Sequence, residues 1–540
     1  MLVEFTIGVV CIFVYYYVKF HHTWKYWEHH NVPFVKPSFP FGSSPTISWE
    51  TFTSPQNFNQ TALNEAKKRG FPKVYGTYFF HNPIISICDP ELAKHIMVKD
   101  FDHFVDRQGE FLAEHATTSH LVDQLWGRQM TALRGDQWKA TRNAFTPIFT
   151  GGKLKGMIHF IHEVTHDLVT SIGQEADRGT PFELKEKFGR FSMDTIASCA
   201  FGVKANSFQE DKSTFAMNAG AMFRNSPMDL MKFVLLVAVP RGRALLECLG
   251  VPLQKKAPTM FLYDIITQTV DHRLRTKTRR NDLVDLMIDA MKADPQSSNH
   301  PEEPVEDSQF DKDAKLNAPD FQPLNVDEMT LVATAMVILV AGYDTTAQTL
   351  AIASFHLARN PDIQEKLHQE IMDAVATMED DKPYPDYNLI QSLPYLDMVL
   401  HETLRINPAL GLISRTCTKD YIIPGTNIPL KCGQDAHIYV SAIHMNPDIY
   451  PDPKKFDPER FTKESKANRH PYSFLGFGQG PKNCIGMRFA LLEAKLALFG
   501  VLRSYKFVTC PETIDTYTLD PSSILATPKE PLLVKVEKRK

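Results

Sequence analysis

Apolar residues fall into three kinds of pattern along the chain. The first is an unbroken run, Phe5 to Val18, with Glu4 the only charge before Lys19. It is somewhat short for a bilayer span, which takes about 20 residues, unless its flanks are included. Basic Lys19 and Lys25 follow it and no small-residue cleavage site does. The run therefore predicts an uncleaved signal anchor over residues 1–22, in preference to a cleaved signal peptide, with the downstream chain held in the cytoplasm. Trp24, Tyr26 and Trp27 suit the membrane interface. Pro33, Pro37, Pro40 and Pro45 make residues 23–45 a stiff, non-helical link to the folded part, residues 46–540.

The second pattern is β-like and sparse. Lys73 to Cys88, rich in Tyr, Phe, Ile and Val and interrupted at His81 to Pro83, predicts a β-hairpin. Short strands are expected around Tyr421 to Ile428 and His437 to Ala442. The third pattern is helical and covers most of the rest: a helix from about Pro90, then mostly helix from Phe188 to Lys292. Asn325 to about His356 is apolar on most sides, which predicts a helix crossing the interior, with Asp327 and Glu328 at its start. Met487 to about Leu502 predicts a last apolar helix. The fold class is mainly α with small β-sheets. Asp294 to Asp320, dominated by Pro, Ser, Asn and acidic residues, reads as a flexible surface loop. The apolar run Phe233 to Val239, bordered by Lys232, Arg241 and Arg243, reads either as core or as a lid dipping into a membrane.

Composition changes little in this picture. A net charge of −4 gives no basic excess for nucleic acid. Eight widely scattered cysteines fit a reducing compartment better than a disulfide framework.

Four short stretches carry chemistry. Phe477 to Gly486 is a Gly-rich turn that delivers Cys484 to the start of the last apolar helix. Gly478, Gly480 and Gly486 let peptide N–H groups crowd round an anion, and a helix N-terminus lowers a thiol pKa. Cys484 thus suits a thiolate metal ligand or a nucleophile, with a buried structural cysteine as the alternative. Ala341 to Thr346 puts a glycine and an aspartate in the middle of the long core helix, where packing needs neither. The Thr345 hydroxyl can reach the Ala341 carbonyl and distort the helix. Glu402 and Arg405 lie three apart on a helix face, most often a surface ion pair of little worth. Trp138 and Arg142 lie one turn apart on another helix, which alone would read as an interface tryptophan beside a surface charge.

The spacing of Phe477, Gly480, Cys484 and Gly486, F-x-x-G-x-x-x-C-x-G, closely resembles the haem-binding loop of the cytochrome P450 family. Ala341 to Thr346 is similar to the family's A-G-x-D-T-T signature, and Glu402 with Arg405 to its E-x-x-R motif. The resemblance covers nearly the whole chain and implies one catalytic domain of that fold. It implies haem b with Cys484 as axial ligand and Phe477 beside it. It places Arg142, Trp138, Arg415 and Lys482 on the haem propionates. Lys482 stands where many members have arginine, so the charge is kept and the bidentate contact is not. Arg107 is a weaker candidate. Thr345 would hydrogen-bond bound dioxygen and Asp344 would pass protons to it through water. Glu402, Arg405 and Arg460 would form a buried network bracing the cysteine loop.

The implied enzyme is a membrane-anchored haem-thiolate monooxygenase of the endoplasmic reticulum, its catalytic domain cytoplasmic. The stretch Phe191 to Val203 looks like the microsomal group that metabolises drugs, plant toxins and insecticides. No dinucleotide or flavin segment is evident, so electrons would come from NADPH through NADPH–cytochrome P450 reductase, with cytochrome b5 as an optional donor. Lys139, Lys454, Lys455 and Arg488 are candidates for the docking face. Val337, Ile338, Leu410, Leu412 and Ile413 suggest an apolar pocket for a lipophilic substrate, with the loop Pro521 to Leu525 turning into it. Two other readings share Cys484: a haem-thiolate isomerase or dehydratase, and a non-enzymatic haem sensor or carrier.

Overall fold

The computed structural model describes residues 14–39, 42–43, 64–70, 72–107, 118–209, 214–222, 226–238, 242–280, 282–292, 326–379, 382–520 and 523–539. Most of the expected anchor, up to residue 13, and the acidic loop Asp294 to Asp320 lie outside the described residues. Residues 14–23 are helical and expose Val14, Tyr15, Tyr17 and Val18.

The interface reading of Trp27 is corrected. Its side chain is fully buried, its Nε1 donates to the Thr77 carbonyl at 3.0 Å, and its ring fills the space over Gly76, where any Cβ would collide with it. The described part of the proline-rich link is likewise pinned, not free. The Pro33 carbonyl accepts from Gly76 N at 2.7 Å, and Val35 N donates back to the Gly76 carbonyl at 2.9 Å.

Gly76 lies on strand β1 (Val74–Phe79), which pairs antiparallel with β2 (Asn82–Ile87) as the expected hairpin. The sheet is completed by β3 (Leu412–Thr416) and β4 (Asp435–Tyr439), in the order β1-β2-β4-β3, with β2 and β4 parallel. The strand expected to reach Ala442 stops at Tyr439, and Val440–His444 is a helical turn. The ladder has run out there, because Leu412, opposite Tyr439, is the first residue of β3. The expected strand Tyr421 to Ile428 is a two-stranded hairpin, Tyr421–Ile422 against Pro429–Leu430.

The rest is helical. The helices that build the site are α1 (Gly135–Phe145), α2 (Gly151–Arg178), α3 (Leu184–Ile196), α4 (Glu328–Arg359), α5 (Pro394–Ile406) and α6 (Met487–Ser504). Helix α4 starts at Asp327, whose carboxylate caps it by accepting from Thr330 N at 2.8 Å, and stops at Asn360 before Pro361. By length and composition α4 could cross a bilayer, but 67% of its most apolar stretch is buried inside the protein. It is the core helix expected from its all-round apolar pattern, and α3, α5 and α6 pack against it. At Gly342, helix α3 comes so close that an added Cβ would lie 3.2 Å from Ile196 Cδ1.

Candidate functional site

The cysteine loop is held by its own backbone. Gly478 N donates to the Leu475 carbonyl at 3.0 Å, Asn483 N to Gly480 at 3.0 Å, and Cys484 N to Phe477 at 2.8 Å. Gly478 and Gly480 have φ of +67° and +71°, a region that disfavours side chains. Gly486 does not: its φ is −89° and it is the N-cap of α6, so its place in the motif has no such conformational cause. At Gly480 a Cβ would also strike the Met97 carbonyl. Gly480→Ala is therefore expected to cost about 2–4 kcal/mol, combining left-handed strain with overpacking. Urea unfolding measures this, and wild-type stability would show that neither cost applies.

Cys484 is exposed although its loop neighbours Lys482 and Asn483 are buried. Ala341 in the middle of α4, Leu410 and Ile524 are exposed too, and Val337, Thr345, Leu412 and Ile413 partly so. These openings within otherwise buried elements, on α4, the cysteine loop and β3, are where a cavity between α4 and the cysteine loop would lie. Burial pushes the Cys484 thiol up, while the Gly486 N–H, Arg142 and Arg107 pull it back. With no cation on the sulfur, desolvation is the largest influence on this thiol; a metal there would hold the thiolate.

Four buried or half-buried cations surround the loop. Arg142, on α1, donates to the Asn483 carbonyl at 2.9 Å and to its side-chain oxygen at 2.7 Å. Arg107 donates to the Lys482 carbonyl at 3.2 Å. Arg415, on β3, donates to its neighbour's carbonyl, Ser414, at 2.8 Å, and its Nε has no partner among the described residues. Lys482 Nζ, also without a hydrogen-bond partner among them, lies 4.0 Å over the buried Trp138 ring. Burial, reinforced by mutual repulsion, pushes Arg415 down to about 9 and Lys482 well below the ordinary lysine range. Burial likewise pushes Arg142 down to about 10, with Cys484 opposing it. Orphaned buried cations of this kind call for an anion carrying more than one negative charge. The two propionates of a haem over Cys484 meet that demand, so these residues fit the group.

Behind the loop, Arg405 and Glu402, both fully buried on α5, pair through two bonds of 2.6 and 2.8 Å. Arg460 Nε stands 3.5 Å from the same carboxylate. The bridge to the loop is His444, which no sequence motif singles out. Its Nδ1 bonds the Arg405 carbonyl at 3.0 Å and its Nε2 accepts from Leu475 N at 2.9 Å. Burial pushes its pKa down to about 3, which keeps it neutral and able to do both.

On the cavity's other wall, Thr345 Oγ1 donates to the Ala341 carbonyl at 2.8 Å, as expected. Asp344 is buried and turned toward α3, where Lys185 Nζ stands 3.0 Å from its carboxylate. Lys185 is a second residue that sequence reasoning missed, since no spacing connects it to position 344. The C-terminal loop is tied in through Ala526: its N–H donates to the Ala409 carbonyl at 3.0 Å, and its carbonyl accepts from Asn407 Nδ2 at 2.9 Å. Of the candidate docking residues, Lys139 pairs with Asp136 at 3.6 Å and Lys455 with Asp457 at 3.9 Å.

The chain is similar to known proteins over most of its length. Cytochrome P450 6a8 of Drosophila melanogaster is 31% identical over 543 residues, covering 99% of each chain. Human cytochrome P450 3A7 is 34% identical over 472 residues, 87% of this chain and 85% of its own. The sequence profile of the cytochrome P450 family runs from residue 47 to residue 536, through the cation cluster, the α4 groove, the buried Glu402–Arg405 pair and the cysteine loop. With geometry and similarity in agreement over that length, the chain belongs to the cytochrome P450 family.

Proposed function

We propose that Cys484 is the axial ligand of a haem b whose propionates meet Arg142, Arg415, Lys482 and Trp138, in an enzyme that oxidises lipophilic organic compounds. The enzyme is a monooxygenase of haem-thiolate type. One O2, two electrons and two protons convert R–H to R–OH and one water. When bound, the haem supplies the iron at which dioxygen is activated. The observation that carries the reading is the ring of cations, none ion-paired among the described residues, around an exposed cysteine.

The chain's own residues bind and orient. Phe477 accepts the Cys484 N–H and, with Gly480 and Gly486, shapes the turn that presents the sulfur. Val337, Ala341, Leu410, Leu412 and Ile413 form an apolar wall, which suits a xenobiotic, an insecticide, a plant toxin or an endogenous lipid. Thr345 holds a hydroxyl at the groove, and Asp344 beside it is the carboxylate that hands on protons. Electrons come from a redox partner, for which we assign NADPH–cytochrome P450 reductase, with cytochrome b5 as a second donor. The exposed apolar residues Val14, Tyr17 and Val18, with Met228 and Met231 on the helix Pro227–Ala238, support contact with the endoplasmic reticulum membrane and the lid reading of that helix. Residues 1–22 as anchor, 23–45 as a link whose described part packs on the first sheet, and 46–540 as catalytic domain complete the assignment.

Thr345→Ala is expected to leave NADPH consumption running while product formed per NADPH falls about tenfold, a modest loss for a group in proton transfer. Unchanged coupling would remove Thr345 from this role.

A further inference from the structure

Past Thr416 the line of β3 runs on to Cys417, opposite the turn that leads into β4. Cys417 N donates to the Gln434 carbonyl and Gly433 N to the Cys417 carbonyl, both at 2.8 Å. Lys431 to Gln434 is a tight turn, closed by Gln434 N on the Lys431 carbonyl at 3.0 Å, with Gly433 at φ +89°. Cys432 is thus one residue from the pair that faces Cys417. The two sulfurs reach the same short piece of backbone: the Cys417 thiol donates to the Lys419 carbonyl at 2.8 Å and the Cys432 thiol to the Thr418 carbonyl at 3.3 Å. Cys432 is exposed and Cys417 is buried. Burial pushes the Cys417 thiol up to about 11, and the neighbouring Cys432 adds to the rise. This corner is tied to the cation cluster. On either side of Cys417, Thr416 N donates to the Asp106 carbonyl at 2.9 Å and Thr418 N to the His103 carbonyl at 2.7 Å. Arg415 lies two residues before Cys417, and Arg107 follows Asp106.

We propose that Cys417 and Cys432 form a dithiol that hydrogen peroxide closes to a disulfide, shifting the strand end that carries Arg415. The effect on haem rests on the reading of Arg415 given above; the disulfide does not. Hydrogen peroxide is what O2 becomes when two electrons and two protons reach it and no substrate is oxidised. The exposed Cys432 sulfur attacks one peroxide oxygen, the O–O bond breaks, and the other oxygen leaves as water with the thiol proton. Cys417 then attacks the resulting sulfenic sulfur, and the hydroxyl leaves as a second water with the Cys417 proton. In sum, two thiols and one H2O2 give one disulfide and two waters. Forming the bond turns both sulfurs away from their carbonyls, so residues 416–418 and the turn readjust together. In a reducing compartment such a bond is transient, since thiol exchange reopens it.

The test uses the full-length, haem-loaded protein, treated with hydrogen peroxide, blocked at its free thiols and digested with trypsin without reductant. Cleavage after Arg415, Lys419 and Lys431 leaves the two cysteines on separate peptides. The disulfide is expected as a linked pair, two hydrogens lighter than its halves together, which dithiothreitol releases. Haem loss to a scavenger protein should be about fivefold faster in the oxidised protein, the low end of coupling between sites, and should recover on reduction. Cys432→Ser, at an exposed position, keeps wild-type product per NADPH and shows neither effect. Treated identically, it also reports any direct damage of haem by peroxide. Absence of the linked pair, or Cys432 joined instead to Cys248 or to a second copy of the chain, overturns the dithiol. A linked pair with unchanged haem loss overturns the switch. Arg415→Leu then shows where it failed: faster haem loss in that variant keeps Arg415 as a propionate partner, and wild-type retention removes it.

Discussion

Cys484→Ala should abolish the strongly red-shifted Soret band of the dithionite-reduced, carbon monoxide-bound protein, and with it all monooxygenase activity. The family's haem carries its iron inside its own macrocycle and takes one cysteine ligand from the protein. Cys88, Cys199 and Cys417 are buried; Cys248 and Cys432 are exposed like Cys484, but it is Cys484 that follows the Lys482–Asn483 backbone held by Arg107 and Arg142. A thiol raised by burial is a poor free nucleophile, and a metal on the sulfur replaces the proton outright. Alanine offers no substitute ligand, so the effect should be complete. The measurement is the difference spectrum of membranes carrying wild type and variant. A variant that kept the band would show that another side chain binds iron. A wild type that took up haem without showing the band would overturn the thiolate assignment itself.

Much of this site is legible in the amino-acid sequence because its signals are local. The glycines, Cys484 and Phe477 lie within one turn. Glu402 with Arg405, Trp138 with Arg142, and Ala341 to Thr346 each fit on one stretch of helix, where 3.6 residues per turn fixes who shares a face. The long apolar pattern of α4 likewise predicts a buried helix from periodicity alone. What escapes is non-local. His444 matters because a short helix after β4 carries its two nitrogens between Arg405 and Leu475, and nothing in Ser441 to Asn446 announces that. Lys185 and Asp344 are 159 positions apart by their numbers and meet only because α3 crosses α4 at Gly342. Trp27 misleads for the opposite reason. An aromatic cluster after an apolar run suits a membrane interface, but the pocket over Gly76 in β1 takes the ring instead. At Gly486 the local reason given for a motif position fails, since its φ of −89° is open to any residue.

Arg405→Leu should destabilise the fold by about 3–5 kcal/mol, the usual cost of breaking a buried ion pair by removing one partner. Both side chains are fully buried, and Arg405 also donates to the carbonyls of His444 at 2.9 Å and Pro453 at 2.8 Å. Leucine would leave these acceptors unpaired and Glu402 with only Arg460 at 3.5 Å and the Asp457 N–H at 2.9 Å. Glu402→Gln keeps the shape and removes the charge from the other end, stranding the Arg405 guanidinium instead. The double variant, with neither charge, should be less destabilised than the sum of the two, because each single change leaves a partner uncompensated. Urea unfolding gives these differences. One path joins this pair to the cysteine loop: the Arg405 carbonyl orients His444, and His444 holds Leu475 N where the chain turns into the loop. Loss of haem to a scavenger protein should therefore be faster in both single variants, while product per NADPH in the fraction still loaded stays near wild type. A variant that kept its haem but lost coupling would place Glu402 and Arg405 in the chemistry. The geometry places them behind the loop, joined to it through His444, which supports a role in holding the Cys484 loop in place.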